Sequence, residues 1–286
     1  MIPSIPQPKA FRGLYAAYVF IFFVYLIAPL VVVAVFAFND SLFPSLPWNG
    51  FTLDWFVNDT EPRLGLFHDH ALTDSIGTSA IVAFWVTVLA VSAGTCNAFL
   101  FEREKFPFKD LLYILMLAPL VIPGVILGIS ILVFSNSIIN WVEAFSGIEI
   151  DALRPGLALV VVGQFAFITT IVTLVVSARL RKFDPTLEEA ALNLGATRLV
   201  AIRTITLPYL KPALIGAAIV TFLMSFENFN TTLMLVGSDA PLTIEMYDRL
   251  REGSTPVLNA VSILLMVGSG ILALLSIFVQ RDRNKP

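Results

Sequence analysis

Residues 184–208 read DPTLEEAALNLGATRLVAIRTITLP, a polar stretch lying between two long apolar runs. Asp184 followed by Pro185 predicts a helix N-cap with proline at the first helical position, where its missing N–H does no harm. Glu188 and Glu189 then fall in the first turn, where the helix dipole favours negative charge. As a helix, Leu187, Ala190, Ala191 and Leu194 share one face at the i, i+3, i+4, i+7 spacing. Two alanines at the centre of that stripe leave a shallow profile over which a partner groove can close. Gly195 suits the left-handed position that ends a helix. A second helical run over residues 197–207 leads to Pro208 and Pro212 at the mouth of the next apolar segment. Physical reading alone leaves two uses for such a segment: docking a partner, or lying as an amphipathic helix on a membrane surface.

Working outward, the rest of the chain is dominated by apolar sequence. Hydrophobic residues make up 57% and charged residues 14%, far from the balance of a soluble domain. Apolar stretches of about 18 residues or more are membrane-helix candidates. Six segments meet or approach that length: residues 14–38, 75–101, 111–134, 156–178, 213–236 and 257–279. Long apolar runs separated by short polar loops exclude a membrane β-barrel, whose strands are about 10 residues long and alternate with period two. The fold class is therefore an all-α membrane protein with six transmembrane helices, forming one domain over residues 1–286 in which residues 181–212 are a polar loop.

Lysine and arginine set the orientation. With the N-terminus inside, the inner loops hold Lys9, Arg12, Arg103, Lys105, Lys109, Arg179, Arg181, Lys182, Arg198, Arg203, Lys211, Arg281, Arg283 and Lys285. The outer loops hold Arg63, Arg154, Arg249 and Arg251. Fourteen against four obeys the positive-inside rule. Both termini and the 184–208 stretch are then predicted to be cytoplasmic, with residues 39–74, 135–155 and 237–255 outside. The first apolar run is too long for a signal-peptide core and is read as a retained helix. The net charge of −3 masks an acidic outer face opposite a basic inner one, which topology explains without nucleic acid. Cys96, the sole cysteine, lies within a membrane segment and is read as a packing residue, with no disulfide or thiol metal site. His68 and His70 are read as solvated loop residues, and no metal site is expected. In the outer loop, Phe43, Trp48, Phe51, Trp55 and Phe56 suit an interfacial aromatic belt.

Two features inside the apolar segments carry chemistry. Pro119 and Pro123-Gly124 are expected to break the third helix, which a membrane tolerates beside protein or a water-filled cavity. The alternative is a static kink filled by neighbours. Glu227 is the one ionisable side chain deep in an apolar segment, about 20 Å along its helix from the inner end. An ionised carboxylate there costs about 2.5–3.5 kcal/mol on insertion scales, so it belongs in a bundle interior or a watery cavity. Asn230 and Thr231 follow at i+3 and i+4, Asn228 adjoins, and Phe226 and Phe229 flank the group. Together these offer a carboxylate, amides and aromatic walls to an amine-bearing solute. A purely structural glutamate is the other reading. No G-x-x-x-x-G-K-[ST] phosphate loop is present, nor a zinc or Ser/His/Asp constellation, so no ATP hydrolysis or other catalysis is expected of this chain alone.

The spacing Glu189-Ala190-Ala191, three residues, Gly195, nine residues, Ile205-x-Leu207-Pro208 resembles the loop by which permeases of bacterial ATP-driven (ABC) importers grip their ATPase. Residues 36–41 (FAFNDS), 50–56 (GFTLDWF), 106–109 (FPFK) and 224–260 resemble the polyamine/opine/phosphonate branch of type I importers, most closely the second permease of spermidine/putrescine-type systems. The resemblance implies a type I ABC importer permease fold in a bacterial inner membrane. It also implies ATPase-coupling roles for Asp184, Glu188, Glu189, Ala190, Ala191, Gly195, Leu207 and Pro208. Further implied are a heterodimer with a related permease, two ATPase subunits binding ATP and Mg, and a periplasmic solute-binding protein. This chain holds no cofactor of its own on that reading. It departs from spermidine/putrescine permeases in having Glu227-Asn228 where paired acidic residues are usual, and Gly124 where an acidic residue often follows the proline. Fewer carboxylates leave other amine-bearing or zwitterionic solutes open beside polyamines. An ion-coupled secondary transporter and a non-transporting membrane scaffold are the rival classes, separated by whether an ATPase copurifies.

Overall fold

The computed structural model describes residues 8–147, 150–253 and 255–281, with side chains described as far as Phe278. Its helices among those residues are α1 (Lys9–Phe36), α2 (Asp54–Val57), α3 (His70–Arg103), α4 (Lys109–Val121), α5 (Gly124–Ser146), α6 (Leu157–Leu180), α7 (Thr186–Asn193), α8 (Arg198–Ala201), α9 (Leu207–Phe226), α10 (Thr232–Leu235), α11 (Leu242–Glu252) and α12 (Val257–Arg281). The described residues contain no strand; one isolated bridge joins Asn39 and Phe51. Among the described residues six helical runs are long and apolar enough to cross a membrane: α1, α3, α5, α6, the continuous run Arg198–Phe226, and α12.

The chain divides into two compact units, Met1–His70 with Arg249–Val267, and Ala71–Asp248 with Gly268–Pro286. In the first unit α1 is apolar on every side and has no buried residue, the pattern of a helix solvated by lipid or another chain. The loop after it is a folded piece. Asn39 is fully buried; it donates to the Ser45 carbonyl at 3.1 Å, accepts from Asn49 N–H at 2.9 Å, and its own carbonyl accepts the Trp55 indole N–H at 2.9 Å. Phe38 stacks on both Phe51 and Phe56, with ring centroids 5.2 and 5.3 Å away. The expected aromatic belt therefore splits. Trp55 is a core residue because its N–H finds a buried acceptor, while Phe43, Trp48 and Phe51 stay exposed. Arg249 closes the unit on Asp69 through a paired contact, 2.9 Å at Nη2–Oδ1.

In the second unit α6 is the central helix. Its Leu159, Val160, Ile168, Val172, Val176 and Leu180 form a core with Val82, Val86, Ala90 and Ala98 of α3, Leu210 and Ala217 of α9, and Leu235 of α10. Gly94 lets α3 and α6 meet closely, since a Cβ there would stand 2.7 Å from Val172 Cβ; small residues set backbone approach where lipid supplies no hydrophobic drive.

Several expectations need correction. Pro119 does not break the helix: α4 runs through it to Val121, and the break falls at Ile122, extended at φ −74°, ψ 129°, before Pro123. Thr170 of α6 donates to Met116 O at 2.8 Å, which ties this turn of α4 to its neighbour, and a proline within a membrane helix is tolerated against such packed protein. The helix after the break extends to Ser146, where Gly147 ends it at φ +69°, so much of the 135–155 loop is helical; residues 148 and 149 lie outside the described residues. The 213–236 segment is not one helix, since α9 stops at Phe226. His70 opens α3 instead of lying in the loop. Cys96 is exposed, not packed.

Candidate functional site

The polar loop folds as its local chemistry directs. Asp184 Oδ1 accepts from Thr186 N–H at 3.0 Å and from the Thr186 hydroxyl at 2.8 Å, and Pro185 is already helical at φ −65°, ψ −19°. Asp184 is thus the working N-cap of α7, and hydrogen bonds from the Thr186 hydroxyl and then its N–H hold the carboxyl below its ordinary pKa. That contribution is present above the unfolded pKa and is lost as pH falls through the lowered folded one. At the other end Gly195 has φ +92°. Gly195 N–H bonds to Leu192 O (2.9 Å) and Ala196 N–H to Ala191 O (3.0 Å), the paired bonds of a Schellman ending. Thr197 caps α8 by accepting Val200 N–H at 3.4 Å.

The second helical run differs from the expected one in continuing into the membrane. From α8 it widens to a π turn over Ile202–Thr206 and becomes α9. Pro208 lacks the donor for the Thr204 carbonyl and its ring crowds that position, and a locally wider turn relieves both. Of the predicted face of α7, Leu187, Ala190 and Leu194 are exposed and Ala191 half-buried, with Leu194 90% exposed. Leu199 and Val200 extend this exposed apolar surface.

The two glutamates have different surroundings. Glu189 is exposed. Glu188 turns inward: it pairs with Arg103 of α3 at 3.1 Å and accepts the Thr206 hydroxyl. Arg103 also lies 5.3 Å over the Phe183 ring. Its neighbours continue the attachment, Glu102 to Arg181 and Glu104 to Arg198, both at 2.8 Å. Glu102 and Arg103 at the end of α3, with Glu104 just beyond it, thereby hold three points along the loop. A cavity of about 400 Å³ opens beside them, lined by Phe101, Glu102, Lys109, Asp110, Tyr113 and Arg181. Sequence reading used Arg103 only as an inner charge; the Glu102-Arg103-Glu104 alternation was the available signal.

At the end of α9, Glu227 occupies the C-cap at φ −90°, ψ 5°. The expectation that Glu227, Asn230 and Thr231 share a helical face fails because the helix has ended. Glu227 is exposed and its carboxylate has no hydrogen bond or ion pair among the described residues. Asn230 is exposed as well. Asn228 is committed to structure: its Oδ1 accepts from the Thr232 hydroxyl at 3.0 Å and from Thr232 N–H at 3.3 Å, capping α10. Thr231 is buried and donates to Gly124 O at 3.4 Å. Phe229 packs on Tyr247 at 5.0 Å and Phe226 on Phe222 at 6.0 Å. The two helix breaks meet here. A Cβ on Gly124 would lie 3.0 Å from Asn230 Cβ, so glycine at this position lets one break seat on the other.

Gln164 holds the junction and was missed from the sequence, although a lone amide in an apolar run is a recognisable signal. It is 1% exposed, accepts the Ser225 hydroxyl through Oε1, and donates to Thr232 Oγ1 at 2.9 Å. Thr232 passes the chain on to Asn228. The last turn of α9, the break and α10 are thereby fastened to α6.

A six-span helical membrane protein with an exposed capped helix in a basic loop and paired breaks near one end of its bundle has the form of an importer permease. Residues 88–283 match the model of the binding-protein-dependent transport system inner membrane component family, and the chain belongs to that family. Over 265 residues it is 29% identical to the putrescine transport system permease protein PotI of Escherichia coli, covering 92% of this chain and 89% of that one. It is 25% identical over 269 residues to the spermidine/putrescine transport system permease protein PotC of Haemophilus influenzae, covering 94% and 96%. Its fold matches a chain in the crystal structure of a bacterial ABC transporter involved in the import of the acidic polysaccharide alginate, with TM-score 0.74, 18% identity, and coverage of 97% and 98%. The protein is a multi-pass inner-membrane permease subunit of an ABC importer with the type I fold, and the family is a non-catalytic membrane component.

Proposed function

We propose that this chain, as one permease domain, pairs with a related permease to form the path of a small amine-bearing solute, a polyamine foremost. Separate ATPase subunits, which bind ATP and Mg, dock on α7, and a periplasmic solute-binding protein delivers the solute from outside. The observation that carries this reading is α7 itself: an exposed eight-residue helix, capped at both ends and tied to α3. The polyamine assignment draws support from the names of PotI and PotC and from the unpaired carboxylate of Glu227. Copurification tests the assembly: two ATPase chains and a second permease are expected with this chain, and isolation as a lone functional transporter would refute it.

The proposed orientation puts both termini and the 184–208 loop in the cytoplasm. In a Cys96→Ser background, Thr255→Cys is expected to react with an impermeant thiol reagent in intact cells and Thr197→Cys only after permeabilisation. The neighbouring Ser254 lies outside the described residues. The reverse labelling pattern contradicts the orientation.

Glu227 is proposed as the solute's counter-ion, with Asn230 beside it; Asn228, Thr231, Phe226 and Phe229 shape this stretch, and the Pro123-Gly124 break packs behind it. Glu227→Gln keeps shape and hydrogen bonding and removes the charge. Losing one ion contact worth about 1.5–3 kcal/mol predicts putrescine uptake slowed roughly 10- to 100-fold, with the ATPase still bound. Unchanged uptake kinetics would remove Glu227 from the pathway.

A further inference from the structure

We propose that α3 is the rod that carries ATPase movement from α7 to the broken fifth span, with Arg103 and Ser79 as the positioning residues at its two ends. The proposal rests on the coupling role of α7 given above. At the loop end the attachment is the Glu102-Arg103-Glu104 triplet. In each outer rung the arginine is well exposed, 61% for Arg181 and 72% for Arg198, and pairs open to solvent on one side contribute little. The middle rung is different: Arg103 and Glu188 have side chains 23% and 18% exposed, Thr206 donates to the same carboxylate, and Phe183 covers the guanidinium. That rung fixes α7 to α3 in one geometry.

The opposite end of α3 has its own attachment. Ser79 is buried, and its Oγ accepts the N–H of Leu242, the first residue of α11, at 2.8 Å. The next residue, Thr243, donates to the carbonyl of Asn228 at 3.0 Å, and Asn228 caps α10. Arg103 lies 24 positions beyond Ser79 along uninterrupted helix, about 36 Å at 1.5 Å per residue. Helices resist compression, so displacement at Arg103 reaches Ser79 with little loss. A contiguous set of packed and hydrogen-bonded groups thus joins Glu188 to the Glu227–Thr231 break.

The test uses the whole complex in lipid, with Cys96→Ser and Asn230→Cys in this chain, and needs no transported solute. The labelling rate of the introduced thiol is compared without nucleotide and with ATP, Mg and vanadate. The rod predicts a change of about fivefold or more between the two conditions. Arg103→Gln is expected to reduce that change to less than twofold while the ATPase still copurifies. Ser79→Ala is expected to do the same, and the two together to add nothing further, as for groups acting in one line. Arg103→Glu combined with Glu188→Arg is expected to restore at least half of the change, which a merely destabilised helix would not do. A full response in Arg103→Gln and Ser79→Ala, alongside its loss in Gly195→Val, overturns the rod and leaves the coupling reading standing. A full response in Gly195→Val overturns the coupling reading itself. No nucleotide response in the otherwise unsubstituted chain overturns the rod.

Discussion

Gly195→Val is expected to abolish solute-stimulated ATP hydrolysis by the assembled complex while membrane insertion persists. The cause is conformational. Gly195 sits at φ +92° with no atom within 4 Å of where a Cβ would lie, so the new side chain meets open space and only the backbone objects. A left-handed conformation costs an L-residue roughly 1–2 kcal/mol, and a β-branched one more. The surrounding structure has little to set against that cost, because α7 is eight residues long and a helix of that length is marginal by itself. Valine therefore pulls residue 195 toward negative φ and breaks the bonds from Gly195 N–H to Leu192 O and from Ala196 N–H to Ala191 O. The exposed Leu194 then leaves the face it shares with Leu187, Ala190 and Ala191. Stimulation is expected to fall at least about tenfold for valine, less for alanine, and least for asparagine, which tolerates the left-handed region best of the three. The check is ATPase activity with and without loaded binding protein, on complexes of equal ATPase content. Full stimulation in a correctly inserted Gly195→Val complex would be incompatible with α7 as the coupling element.

The same helix explains why the loop was legible in sequence. Caps are local chemistry: Asp184, Pro185 and Gly195 act within a few residues of themselves, and each adopts the geometry that its side chain favours. Membrane spans were legible because lipid offers backbone groups no partner, which forces long apolar helices. The third-helix break was legible at Pro123, since proline restricts the residue before it, whereas α4 runs through Pro119, where Thr170 holds Met116 from 54 residues away. The end of α9 had no local sign. Nothing in Glu227-Asn228-Phe229-Asn230-Thr231 requires a break; it arises where Asn228 caps α10, Gly124 makes room for Asn230 and Gln164 ties Thr232 to Ser225. The Arg103–Glu188 pair was hidden likewise, joining residues 85 positions apart. Pairing across the fold selects among options that local sequence leaves open.

The second large effect is expected at that hidden junction. Gln164→Leu should destabilise the permease and stop transport, because it removes both bonds made by one buried amide. The chain of donors runs in one direction, from Ser225 Oγ to Gln164 Oε1, from Gln164 Nε2 to Thr232 Oγ1, and from Thr232 Oγ1 to Asn228 Oδ1. Leucine fills a similar volume but leaves the Ser225 hydroxyl without its acceptor and Thr232 without its donor. Each unsatisfied buried group costs about 1–3 kcal/mol in a water-excluded interior, while hydrogen bonds measured within membrane bundles average nearer 0.6 kcal/mol. Two lost bonds therefore predict a loss of roughly 1–6 kcal/mol, bounded by those two scales. Pairing Gln164→Leu with Ser225→Ala removes one orphan and is expected to recover part of the stability, because the cost lies in the unpaired hydroxyl. Transport should not recover in the double variant, since the tie from α6 to the α10 cap is still absent. Denaturant titration of the detergent-solubilised complex measures the first quantity and putrescine uptake in proteoliposomes the second. A Gln164→Leu variant that keeps wild-type stability and uptake would show that the fifth-span break is held by packing alone, with Gly124 against Asn230 and Gly128 against Met234 as the contacts then responsible.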